Sequence, residues 1–115
     1  MVGKNKLPRS LSLRRRAEID SLFEHGRRIP TDFFTLIWQP AEEFKFGIFV
    51  SRQAGKAVQR NRIRRRFREA VRLNRHRLTN PVALVLMPRV GGLESEFERL
   101  VDDVGRIFEK LNRED

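Results

Sequence analysis

Eleven Arg or Lys residues and a single acid, Glu69, fall between Ser51 and Arg77, so this stretch alone carries the net +10 of the whole 115-residue chain. Its centre reads Arg60-Asn61-Arg62-Ile63-Arg64-Arg65-Arg66-Phe67-Arg68. Cations at this density repel one another unless an anion lies against them. Their concentration in one segment marks a binding surface, since solubility alone needs only scattered charge. Most are arginines, whose planar fork matches a phosphate in two-point contact. A face laced with salt bridges would need acids one helical turn away, and only Glu69 is available. The chemistry these residues suit is recognition of a polyanion. Asn61 is either a structural cap or a hydrogen-bonding group for RNA, and both readings stand.

Bond-breaking chemistry is not visible. His25 and His76 lack ligand spacing, and the chain has no cysteine, which removes disulfides and thiolate metal sites. No glycine-rich phosphate loop occurs. The acids gather towards the C-terminus and at Glu42-Glu43, whereas a metal-dependent nuclease needs carboxylates converging on the basic surface. No apolar run reaches membrane-spanning length and no apolar core of signal-peptide length follows the basic Met1 to Pro8, so a cytoplasmic location is expected.

The elements that position the basic stretch follow from periodicity. Residues 1–115 are read as one domain, with residues 1–9 a flexible basic arm. Arg14 to His25 is a short helix with Ile19, Leu22 and Phe23 on one side, and Gly26 is expected to close it in the left-handed conformation. Phe33 to Gln39 and Phe44 to Ser51 read as strands joined by the Pro40–Glu43 turn, an expected antiparallel hairpin. The basic helix is expected from about Val58 to Arg75. Ile63, Phe67, Ala70 and Val71 form its buried stripe, and Asn61, Arg65, Arg68 and Arg72 its outer face. Val82 to Met87 is apolar without alternation, which suits a strand covered on both faces. Ser95 and Glu98 have capping-box spacing ahead of a last helix that runs through Leu111. This order gives an α+β layered fold, with the basic helix crossing between two strands.

The outer face of the basic helix favours RNA over the other polyanions. An interfacial membrane helix turns bulky apolar residues outward, and here the apolar stripe is only wide enough for the core. A DNA-reading helix needs side chains for base edges, and this face is almost entirely of the phosphate-binding type. Recognition of a folded RNA through shape and backbone fits better. Along the second strand Phe44, Phe46 and Ile48 alternate with Lys45, Gly47 and Phe49, so one side can present an aromatic to single-stranded nucleotides.

At this point the chain resembles the protein subunit of bacterial ribonuclease P. The resemblance rests on Phe46-Gly47-Ile48-Phe49-Val50-Ser51, Gly55-Lys56-Ala57-Val58, Arg60-Asn61-Arg62-Ile63-Arg64-Arg65 and Arg68-Glu69, and extends more weakly to both ends. It implies an α-β sandwich in the order α-β-β-(β)-α-β-α, with a left-handed crossover through the basic helix, an exception to the usual hand. It implies a monomeric protein in a 1:1 complex with the ribonuclease P catalytic RNA. That RNA performs the hydrolysis that removes the 5′ leader of precursor tRNA, using Mg²⁺ held mainly by the RNA. The protein's implied tasks are to hold the RNA, contact the leader and improve substrate and Mg²⁺ affinity. The family's RNA-binding face carries over to Arg60, Asn61, Arg62, Arg65 and Arg68, with Arg64 and Arg72 of the same helix included. Its leader cleft carries over to Ile19, Phe23 and Ile37, with Arg52, Lys56 and Arg89 at the mouth. Ile19 and Ile37 stand where the family often has aromatics, Gln53 where a basic residue is frequent and Ala83 where an acid is. A structural RNA-binding protein of ribosomal type is the alternative; a self-sufficient nuclease would cleave without added RNA.

Overall fold

The computed structural model describes residues 11–89 and 96–113. The elements in chain order are α1 (Arg16–His25), β1 (Arg27–Pro30), β2 (Phe34–Pro40), β3 (Lys45–Ile48), α2 (Ala57–Asn74), β4 (Val82–Pro88) and α3 (Phe97–Leu111). The strands form one sheet in the order β1-β2-β4-β3. β1 and β2 are antiparallel, as are β2 and β4, while β3 and β4 are parallel neighbours connected through α2.

The unbroken apolar run becomes the central strand β4, and residues 82–86 are all buried. Because side chains alternate along a strand, the sheet has two apolar faces. Phe34, Leu36, Trp38, Leu84 and Leu86 pack with Ile63, Phe67, Val71, Val104 and Phe108 of α2 and α3. Ile37, Ala83 and Val85 pack on the other face with Leu13 and Leu22, bordered by Ile19 and Phe23. The result is the expected α-β sandwich, with α1 alone on one side.

The expected β2–β3 hairpin is not formed, because β4 lies between them and pairs with both. The hairpin partner of β2 is β1, where Ile29 is the only inward residue of Arg-Arg-Ile-Pro. So polar an edge strand carries almost no apolar signal, and its outer position tolerates Pro30.

Where α2 meets α3, the buried Asn74 amide donates to the carbonyl oxygens of Ala70 (2.9 Å) and Val101 (2.8 Å). A Cβ at Gly105 would lie 2.7 Å from Asn74 Oδ1, so the small residue permits this close approach. Glu96 occupies the N-cap of α3 without a side-chain cap bond, and Ser95 of the expected capping box lies outside the described residues, as does the expected arm at 1–9. Among the described residues no helix is long and apolar enough to cross a membrane.

Gly26 ends α1 in an extended conformation (φ −67°, ψ 154°), which corrects the expected left-handed cap. The reason for glycine is space: a Cβ there would lie 2.5 Å from the Leu22 carbonyl oxygen and 2.6 Å from Ile37 Cγ2. Gly26→Ala and Gly26→Asn are therefore both expected to destabilise the fold, by about 1–3 kcal/mol of overpacking strain in urea unfolding. A left-handed cap would instead tolerate Asn, so a near-native Gly26→Asn variant would contradict the packing explanation.

Candidate nucleic-acid interface

The loop into α2 is built from short-range hydrogen bonds. Ser51 Oγ accepts from Gln53 N–H at 3.1 Å, starting a single turn at Arg52–Ala54. Gly55 then adopts φ 132°, and a Cβ there would lie 2.0 Å from Gln59 Oε1. That same oxygen accepts from Lys56 N–H at 2.9 Å, and Arg60 Nη1 donates to the Gly55 carbonyl at 3.0 Å. Arg60 is thus tied into the loop that starts the helix, while Arg52 and Lys56 point their exposed side chains from that loop.

On α2, Ile63, Phe67, Ala70, Val71 and Asn74 are buried, which fixes the opposite side as the outer face. Its arginines are not equivalent. Arg62 and Arg65 are exposed and have no carboxylate partner among the described residues. Asn61 Oδ1 accepts from Arg64 Nη1 at 2.8 Å, so Asn61 orients an arginine; the residue at the helix N-cap is Lys56. Arg68 and Arg75 fold back on the sheet, each guanidinium carbon 5.3 Å from a ring centroid, over Phe46 and Phe44 respectively. Arg72 is held by Glu69 through two hydrogen bonds, one of them from Nε at 2.9 Å. These bonds hold the Glu69 carboxyl below the usual carboxylate range, against an opposing effect of burial, and raise Arg72.

A groove of ≈ 200 Å³ runs along the outer edge of β3, lined by Phe46, Gly47, Phe49, Arg64 and Arg68 together with Leu13 and neighbouring residues. Phe49 is 38% exposed, and its ring centroid is 5.9 Å from that of Phe23. A Cβ at Gly47 would lie 3.1 Å from the Phe49 ring, so glycine lets the ring lie close over the strand. On the same face Lys45 Nζ stands 3.5 Å from Glu18 of α1.

Ile19 and Phe23 are half-buried at the border of the α1 cluster. Ile37 is fully buried beneath α1 and offers no surface to a ligand as the fold stands. Arg52 follows β3 and Arg89 follows β4; since these strands are parallel neighbours, both cations come to the same end of the sheet. Arg89 is exposed, with Nη2 3.5 Å from Thr35 Oγ1. The grouping of Phe49 with Arg64 and Arg68 was not foreseen, although alternation in β3 had already placed Phe49 opposite Phe46. Among the described residues no group of three or more His, Cys, Asp or Glu side chains that could hold a metal ion gathers.

Residues 7–112 match the family described as Ribonuclease P. The Ribonuclease P protein component of Desulfatibacillum aliphaticivorans is 30% identical over 113 residues, covering 96% of each chain. That of Chloroflexus aurantiacus is 39% identical over 105 residues, covering 87% of this chain and 76% of the relative. The structure of the ribonuclease P protein from Thermotoga maritima superposes with a TM-score of 0.77 at 24% identity, over 86% of this chain and 96% of that one.

The unequal arginines give a measurable division. Replacing Glu69 and Arg72 together by Gln removes no net charge and is expected to leave the salt dependence of RNA binding nearly unchanged. Replacing Arg62 and Arg65 by Gln is expected to lower the slope of log K against log salt by roughly 1 to 2. Equal slopes for the two double variants would contradict the division.

Proposed function

The chain belongs to the ribonuclease P protein family, and from that premise we propose how its surfaces divide the work of tRNA 5′ maturation. The outer face of α2, with Arg62 and Arg65 at its centre and Arg60, Asn61 and Arg72 around them, holds the catalytic RNA in a 1:1 complex. The groove along β3 holds the 5′ leader of precursor tRNA. Phe49, supported by Phe23, offers a ring for a leader base, while Arg64 and Arg68 reach its phosphates. These two arginines are therefore assigned to the leader, in place of the catalytic-RNA face on which they were expected. Ile19 borders the groove, Arg52, Lys56 and Arg89 guide the strand towards it, and Ile37 supports α1 from below.

Phosphodiester hydrolysis is assigned to the RNA subunit, with Mg²⁺ bound mainly by that RNA. The described side chains supply the other requirement. Two RNAs brought together repel, and arginines on adjoining surfaces offset that repulsion without taking part in bond breaking. A lower repulsion raises substrate affinity and lessens the Mg²⁺ needed to screen it.

One observation carries this reading: an exposed aromatic, Phe49, shares a groove with Arg64 and Arg68 on the flank of the helix whose outer face presents Arg62 and Arg65. Base stacking on an aromatic contributes about 1–3 kcal/mol. Phe49→Ala is thus expected to weaken precursor tRNA binding to the assembled complex by about 5- to 100-fold, while mature tRNA, which has no leader, binds as before. Equal weakening of both RNAs would contradict the leader assignment. Because Phe49 also packs on Phe23, its loss is expected to cost about 1–2 kcal/mol in urea unfolding, and binding is compared where the variant remains folded, which separates binding from folding.

A further inference from the structure

Val58 is 80% exposed, while Phe49 and Leu73, the other exposed large apolar residues among those described, are each at 38%. It sits in the first turn of α2, where a β-branched residue is a poorer helix former than alanine. Neither core packing nor helix propensity accounts for it. Its neighbours on the helix surface are Asn61 and Arg62, one turn on, and Arg65 two turns on. Both arginines are exposed and have no carboxylate partner among the described residues. Arg52 and Lys56 flank it from the preceding loop, and no acid occurs from Ser51 to Arg68.

We propose that Val58 makes an apolar contact with the ribose and base surface of the ribonuclease P RNA strand whose phosphates Arg62 and Arg65 hold. The proposal rests on the reading of α2 as the catalytic-RNA face and adds a contact of a different physical kind. Between its phosphates an RNA strand presents ribose C–H groups and base faces, which a lone apolar side chain set among phosphate-binding arginines can cover. A lipid surface would require a broad outward apolar stripe, and one valine among arginines does not provide it. The positive surroundings select a polyanion as the occupant. An apolar contact adds affinity without releasing counterions, so it leaves a signature distinct from that of the arginines.

The test measures binding of bacterial ribonuclease P RNA and of heparin, a polyanion without bases, across a salt series. Val58→Ala keeps α2 intact, because alanine is the better helix former. It is expected to bind the RNA about three- to tenfold more weakly, with an unchanged salt slope and unchanged heparin affinity. Wild-type RNA affinity in Val58→Ala would overturn the proposal, and so would an equal loss on heparin. Arg65→Ala, measured alongside, is expected to lower the slope on RNA. If it leaves the slope unchanged, α2 is not the RNA face and the reading beneath the proposal falls first. A lowered slope with a wild-type Val58→Ala rejects the valine contact alone.

Discussion

Burial of one side of α2 is the constraint on which the rest of the molecule depends. The helix carries arginines at Arg60, Arg62, Arg64, Arg65, Arg66, Arg68 and Arg72, and by charge alone it should not hold together. Each exposed like-charge pair one turn apart costs only about 0.2–0.5 kcal/mol. Each fully buried Ile, Val or Phe contributes about 1.5–3 kcal/mol, an upper estimate for a fully extended reference chain. Ile63, Phe67 and Val71 are nearly or fully buried against the sheet, with Ala70 beside them, so the apolar stripe outweighs the repulsion. The helix can then present cations outward without an internal acid for each. An anion on that side relieves the remaining strain of charge, which couples binding to the same element that builds the core.

The surrounding structure divides those cations. Arg68 and Arg75 lie over phenylalanine rings at the β3 edge, and Glu69 neutralises Arg72. Arg60 is spent on the loop that starts the helix, and Arg64 is oriented by Asn61. Arg62, Arg65 and Arg66 are exposed to solvent. A helix that looks uniformly basic therefore has a graded surface. Exposed charge lies at the centre of the outer face, and the guanidinium groups stacked on rings lie towards the sheet. Ordered cations beside an exposed ring suit a strand that must be placed, while solvated cations suit the backbone of a large partner.

Much of this was legible in the sequence because it depends on local periodicity. The stripe of α2, the helical period of α3 and the uninterrupted apolar run of β4 each report burial directly. The topology was less legible. β1 contains one inward residue, so its pairing with β2 comes from tertiary context, and the insertion of β4 between β2 and β3 reverses the simplest reading of two strands joined by a short turn. Gly26 illustrates a second limit: its glycine follows from the position of Ile37 across the α1–β2 contact, which local propensity does not encode. The same contact buries Ile37. The groove draws on β3, α2 and the segment before α1, so its composition required their packing to be known.

The central claim is that this protein supplies binding surfaces to an RNA that performs the chemistry. Precursor tRNA cleavage at low Mg²⁺ tests it most directly, with the protein alone, bacterial ribonuclease P RNA alone, and the two together. The account predicts correct 5′ cleavage by the mixture under conditions where neither component is active alone. Cleavage by the pure protein, or an active RNA unaffected by a protein that binds it tightly, would contradict it.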